Sequence, residues 1–296
     1  MNKNPSLLAS LIQNSWVSKN INIEYFENPY RHIVIDNLFS KEAYSSICEQ
    51  IPILISTTVA YKDTPGATSN YAGYIQGIGS NYENTIGIGN FLSLELKNFL
   101  SNIFEVETNQ YVASSAHWHG APSESGFIHR DSNICSFLSS NKQISMSGGC
   151  VYTDDSDKNP DTIKAIRSIA MLYYANNPEN IEDYTGGSTG IYDGYQGKLI
   201  KEVKALNNRL LVFEVCPNSY HAFIGANFDR SALVQWYHCS PAYFIHRNLV
   251  QIKKDYKIDN RTNEAWGISG TKWSIENDPE YSKYFGESKL RDILLS

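Results

Sequence analysis

The stretch FIHRDSN, residues 127–133, ends an apolar pair in a histidine and an aspartate separated by one residue. Along an extended chain, residues two apart point to the same side. His129 and Asp131 therefore aim an imidazole nitrogen and a carboxylate oxygen at one point. Two donors do not make a metal site, so a third is needed from elsewhere in the chain. His221 is the candidate. It follows the apolar run NRLLVFEV and a Pro-Asn-Ser turn, and it opens the next short strand pattern, HAF. Nine residues later Arg230 begins another strong strand pattern, SALVQWYH.

Two histidines and one carboxylate on one side of a metal leave coordination positions open, an arrangement suited to non-haem Fe(II) in oxygenases. The open positions admit O2 and a chelating co-substrate. Arg230 then has a role as well, because a guanidinium grips a carboxylate through two parallel hydrogen bonds.

These residues need a scaffold that brings distant strands side by side. From 111 to 240, short apolar or aromatic runs recur between Gly, Asn, Asp and Pro, the pattern of a sandwich or jelly roll. Upstream, HIVID (32–36) reads as a strand and Ser40 as an N-cap. Ala43, Tyr44, Ile47, Cys48 and Ile51 then share a helical face. FLSLELKNFLSNIFEV (91–106) has the spacing of a core-packing helix. The tail, 247–296, is charged and irregular to helical, with Trp266 and Trp273 as anchors. The expectation is a mainly β chain with flanking helices around a double-stranded β-helix (jelly roll, cupin-like) core. It forms one domain over 1–296, with a helical N-terminal part (1–110), the core (111–240) and a C-terminal extension (241–296).

HRD, MLYYAN (171–176), the glycine pair 186–187, NRLLVF and YHAFIGANFDRSALVQWYH occur in this order over residues 126–240. As a set they resemble the 2-oxoglutarate/Fe(II) dioxygenases, within them the prolyl 4-hydroxylase-like branch. PYRHIVIDNLFSKEAYSSICEQI (29–51) resembles the usual lead-in. The resemblance implies that His129, Asp131 and His221 ligate iron and that Arg230 binds the distal carboxylate of 2-oxoglutarate, with Tyr174 donating to the same carboxylate. It implies Fe(II), 2-oxoglutarate and O2, with ascorbate as a reductant. Alternation along the strands places Leu172 beside Tyr174, and Arg230, Ala232, Val234 and Trp236 on one face. Trp236 is thus a candidate for the cavity near the metal, where a related aromatic sits in this family.

Two features depart from the family pattern. Residues 132–170 stand where a short link is usual, and His119 replaces a tyrosine found ten residues before the first ligand in some relatives. His119 is a candidate substrate contact. An alternative His117–His119 ligand pair is disfavoured by the other motifs. His32, His238 and His246 read as structural. TDDSDKNPD (153–161) lacks the glycine and terminal glutamate of a calcium loop and reads as a solvated acidic loop. The segments 132–165 and 68–90 are expected to form the substrate-facing rim, because long turn-rich segments in compact domains tend to be functional.

The bulk properties narrow the field. A net charge of -6 over 296 residues disfavours nucleic acid. Five scattered cysteines with no CxxC pair fit neither a zinc knuckle nor a disulfide framework. No apolar run approaches a membrane span, and the N-terminal LLASLI is too short for a signal peptide, so the expected location is cytoplasmic. The oligomeric state is not legible. The expected activity is hydroxylation of an unactivated C–H bond of a small molecule, such as an amino acid or secondary metabolite, with release of succinate and CO2. Desaturation, ring formation and peptidyl-prolyl hydroxylation use the same residues, and a non-catalytic jelly-roll binding module is the rival of another class.

Overall fold

In the computed structural model, the described residues are 5–56, 74–77, 82, 84–132, 134–138, 145–146, 162–256 and 274–296. Twelve strands are present among them: β1 (Asn22–Phe26), β2 (His32–Asp36), β3 (Tyr74–Gly77), β4 (Tyr111–His119), β5 (Ile134–Leu138), β6 (Ser145–Met146), β7 (Thr162–Tyr174), β8 (Thr189–Tyr192), β9 (Leu199–Val203), β10 (Arg209–Glu214), β11 (His221–Phe223) and β12 (Arg230–Cys239). They form two sheets. The major sheet runs β1-β2-β10-β7-β12-β4-β3, with β5 joined to β7 and β6 to β4; the minor sheet runs β11-β8-β9. All pairings but β4–β6 are antiparallel. Both sheets contribute residues to one cavity, the closure expected of a jelly-roll core.

Helices cover the outer side of the major sheet. In Lys41–Ser56, Ala43, Ile47 and Ile51 are buried, as the helical spacing requires. Ser40 caps this helix: its Oγ accepts from the Ala43 N–H at 3.4 Å. The run read as a single helix over 91–106 is instead divided. A turn over Ile88–Phe91 stops, and the longer helix Leu94–Phe104 starts afresh at Ser93, whose Oγ accepts from the Leu96 N–H at 3.3 Å. A serine that satisfies an orphan N–H favours a new helix start over continuation. At its far end Glu105 is left-handed, with φ 52°. The chain after β12 turns at once into the helix Pro241–Arg247, with Ser240 at its N-cap. Leu290 and Leu294 of the last helix join the main buried cluster, which also holds Leu11 and Val17. Trp266 and Trp273 lie outside the described residues.

Part of the segment expected to form a rim is sheet. Residues 134–138 pair antiparallel with 162–166 of β7. Cys135 and Phe137 are buried with Tyr111 and Ala165 in a small second cluster. Of the other expected rim, residues 74–77 pair with β4, so its backbone continues the major sheet. Most of the remainder of both segments lies outside the described residues. No helix among the described residues is long and apolar enough to cross a membrane.

Candidate metal centre

The register of three adjacent strands decides which side chains meet. In antiparallel pairs, directly opposed residues project to the same face. Arg230 opposes His119; Ala232 opposes His117 on one side and Tyr174 on the other; Val234 opposes Leu172; and Trp236 opposes Ala170. His117, His119, Leu172, Tyr174, Arg230, Val234 and Trp236 therefore share the face turned towards the minor sheet. A narrow cavity of about 90 Å³ lies there, lined by these residues other than Tyr174 and completed by His129, Asp131, Thr189, His221 and Phe223.

The segment 121–129 reaches this cavity along the free side of β11. The Ser123 N–H donates to Ala226 O at 2.9 Å, and the Gly126 N–H to Phe223 O at 2.9 Å. His129 and His221 exchange both backbone bonds, at 3.0 and 2.8 Å. They are thus a directly opposed pair, which sends both imidazoles to one side; their ring centroids are 4.4 Å apart. The pairing at 129 is a single bridge, not the strand assumed from the sequence. One bridge suffices to aim His129, and Asp131 follows two residues later.

One donor atom from each of His129, Asp131 and His221 lies within 4.8 Å of the others. His129 Nε2 is 3.7 Å from Asp131 Oδ1, and His221 Nε2 is 3.8 Å from Asp131 Oδ2. Each histidine is turned by its other nitrogen. His129 Nδ1 lies 2.9 Å from Phe127 O and His221 Nδ1 lies 3.1 Å from Ser219 O. A carbonyl only accepts, so each Nδ1 carries a proton and each Nε2 is the nitrogen turned inward. Burial pushes His221 down to about 4, and neighbouring His129 pushes it the same way. Burial acts to raise the Asp131 carboxyl, but Arg167, His221, His129 and the Trp236 N–H outweigh it and hold the group well below the usual carboxylate range. The donor set is two imidazole nitrogens and a carboxylate, a fit for a divalent first-row metal.

Arg167 was not singled out from the sequence. Its Nη1 donates to Asp131 Oδ1 at 3.1 Å, and its guanidinium carbon lies 4.2 Å from the centroid of the Trp236 ring. Trp236 Nε1 donates to the other oxygen, Oδ2, at 2.6 Å. Trp236 is thus placed against a candidate ligand, as well as along the cavity wall.

At the other end of the cavity, Arg230 is buried between two rings, 5.1 Å from the Tyr174 centroid and 5.2 Å from that of Phe223. No carboxylate among the described residues is ion-paired with it. Tyr174 OH donates to Thr189 Oγ1 at 2.8 Å, linking the two sheets. Burial raises the Tyr174 phenol and Arg230 partly offsets that, so Tyr174 is a neutral hydroxyl. Thr189 was also missed; a threonine in GGSTG reads as a turn residue until its strand is paired.

His119 is buried and stacks on Phe223, centroids 4.2 Å apart. His117 Nε2 lies 2.7 Å from Ser115 Oγ. Neither belongs to the metal-ligating cluster. Leu172 is on the cavity wall between Tyr174 and the metal donors. His32, His238 and His246 stand elsewhere, against Tyr30 O, Tyr111 O and the Tyr284 and Phe285 rings respectively.

No family model matches the chain, and no curated protein matches it. Solved structures do resemble it. One is a prolyl hydroxylase from Trichoplax adhaerens in complex with a hypoxia inducible factor oxygen degradation domain peptide fragment, at 17% identity over 74% of this chain and 86% of that one, TM-score 0.48. A prolyl-4-hydroxylase from Pseudomonas putida aligns at 12% identity over 79% of this chain and 98% of its own, TM-score 0.45. A 2OG-Fe(II) oxygenase family oxidoreductase from Burkholderia pseudomallei aligns at 11% identity over 70% and 83%, TM-score 0.40.

Proposed function

We propose that the chain is an Fe(II)- and 2-oxoglutarate-dependent oxygenase. The observation that carries this reading is the joining of two groups of residues in one cavity. His129, Asp131 and His221 offer a metal three donors from one side, and a buried arginine without a carboxylate partner among the described residues lines the same space. Two histidines and a carboxylate also suit zinc. Arg230 favours the oxygenase, because a buried guanidinium calls for an anion. A dicarboxylate that chelates the metal at one end and meets Arg230 at the other satisfies both groups. Tyr174 and Thr189, already bonded to each other, add hydroxyls beside Arg230.

The chemistry that iron supplies in such a site is O2-dependent decarboxylation of 2-oxoglutarate to succinate and CO2, coupled to oxidation of a C–H bond. The chain's own residues orient and enclose. His129 and His221 keep their Nδ1 protons on backbone carbonyls, which turns each Nε2 towards Asp131. Leu172, Val234 and Phe223 make the wall between the polar ends apolar and keep water from it. The substrate assigned to the site is a small molecule, an amino acid or secondary metabolite that is hydroxylated, and the narrowness of the cavity supports a small reacting group.

An anaerobic titration with Fe(II) and 2-oxoglutarate tests this. The complex is expected to develop a visible metal-to-ligand charge-transfer absorption that His129→Ala, Asp131→Ala and His221→Ala each abolish while the far-ultraviolet circular dichroism is retained. A protein that binds neither additive is a binding module of another kind. Candidate small molecules are then ranked by stimulated release of succinate.

A further inference from the structure

Asp131 is the only candidate ligand whose two donor atoms are both engaged by other side chains. Oδ1 accepts from Arg167 Nη1 at 3.1 Å and Oδ2 from Trp236 Nε1 at 2.6 Å. The two donors come from different strands, β7 and β12, and they stack on each other at 4.2 Å. The guanidinium, the indole and the carboxylate thus form a closed triangle in which each member fixes the other two. The guanidinium and the carboxylate are largely shielded: the side chains of Arg167 and Asp131 are 10% and 8% exposed.

A carboxylate on one Cβ–Cγ bond rotates freely unless something stops it. Each of its oxygens has two lone-pair sites, so one hydrogen bond per oxygen leaves a site on each for a metal. With Oδ1 and Oδ2 each tied to a donor on a separate strand, rotation would break both bonds. The backbone is shaped for this contact. Between β7 and β12 the register slips, so that Tyr237 opposes Ile169 but His238 opposes Arg167. Ser168 is the extra residue of a bulge, and bulges re-aim side chains. Strict alternation from Tyr174, Leu172 and Ala170 would turn position 167 away from the cavity. The bulge turns Arg167 towards Asp131.

We propose that Arg167 and Trp236 are positioning residues that clamp the Asp131 carboxylate and thereby set the affinity of the metal site. This rests on the metal-binding reading given above. Partners that orient a ligand typically contribute about 10–100-fold in metal affinity.

Mn(II) alone, added to the metal-free full-length chain and followed by electron paramagnetic resonance of the free ion, isolates this effect from turnover and from 2-oxoglutarate. Arg167→Met and Trp236→Phe are each expected to weaken Mn(II) binding by roughly 10–100-fold. Phenylalanine keeps a smaller ring for the guanidinium to stack on and removes the N–H. Arg167→Lys should recover part of the loss, because an ammonium still donates to Oδ1 but lacks the planar stack. The double variant Arg167→Met/Trp236→Phe should lose less than the product of the single losses, since both donors act on one carboxylate. Thermal melts of the metal-free variants register any loss of packing separately. If Arg167→Met does not fold, Trp236→Phe and Arg167→Lys decide the matter. Unchanged Mn(II) affinity in folded variants, with only the melting temperature lowered, would reduce the pair to packing and overturn the proposal. Failure of the unaltered protein to bind Mn(II) would instead remove the metal reading itself, and the clamp with it.

Discussion

Arg230 makes the sharpest demand of any single residue. The residue is 2% exposed, its guanidinium flanked by the Tyr174 and Phe223 rings. Cation–π contacts of this kind offset only part of the cost of burying a charge, so an anionic ligand has the most to gain here. Arg230→Ala is expected to weaken 2-oxoglutarate by about 2–5 kcal/mol, the range for truncating one partner of a buried charge pair, or roughly thirtyfold to several-thousandfold. Mn(II) affinity should be unaffected. Arg230→Lys should fall between, because the planar fork is lost, and Tyr174→Phe should cost less, since Thr189 Oγ1 remains beside the ligand. The measurement is the 2-oxoglutarate dependence of the anaerobic visible absorption at saturating Fe(II). Equal affinity in Arg230→Ala and the unaltered protein would detach the co-substrate from this arginine. His129, Asp131, His221 and Arg230 could be picked out from residue type, spacing and motif order, because each is a polar group at the end of an apolar run. Arg167 could not: it sits within KAIRSIAMLYY at an odd spacing from Tyr174, and only the bulge at Ser168 brings it to the same face.

At the scale of elements, the position of His221 depends on how closely β11 and its neighbours approach. Gly186 has φ +77°, and a Cβ there would meet Gly225 O at 1.6 Å. Gly225 is itself pressed against the 121–126 segment, with Ser123 O 2.3 Å from the place of a Cβ. Gly186→Ala is therefore expected to push the loop after β11 outward and disturb the His129–His221 bridge. The left-handed backbone alone costs about 1–2 kcal/mol, and the backbone overlap adds to it. Gly286→Ala is the control: φ is +61° and nothing lies within 4 Å of an added Cβ. Both variants should melt lower, but only Gly186→Ala should also lose Mn(II) affinity. Equal losses of metal binding would mean that the close approach at Gly186 does not hold the site. The same elements show where sequence patterns fall short. The helix Lys41–Ser56 and strand β2 follow directly from apolar spacing. The stretch after Asp131 reads as loop, yet Cys135 and Phe137, two apart and both buried, carry the strand signal in a run too short to stand out. The break at Ser93 is a capping serine inside an otherwise continuous helical pattern.

For the molecule as a whole, the cavity links stability to pH. Burial pushes His117 down to about 3, with Arg230 and Arg167 acting in the same direction and Asp131 against it; His221 is pushed down to about 4. In the unfolded chain both histidines titrate near about 6.5. A histidine that stays neutral when folded stabilises fully above its unfolded value, and that contribution is lost as pH falls towards its folded value. The window is therefore from about 6.5 down to 4 for His221 and to 3 for His117. Asp131 has the opposite charge type but acts in the same sense at lower pH: its folded carboxyl is depressed, so its contribution is present above about 3.9 and lost below. Between pH 6.5 and 4.5 the metal-free protein should thus lose stability with a slope of up to about 1.4 kcal/mol per pH unit for each histidine. His117 separates this effect from metal ligation, because it lies outside the ligating cluster. Glutamine at 117 retains a polar group beside Ser115 and cannot take up a proton. Urea midpoints of the metal-free protein should fall less steeply with acid in His117→Gln than in the unaltered chain, and the two curves should separate only below about pH 6.5. Parallel curves across the whole range would mean that folding leaves the His117 imidazole as easily protonated as in the unfolded chain, which its burial beside Arg230 and Arg167 opposes.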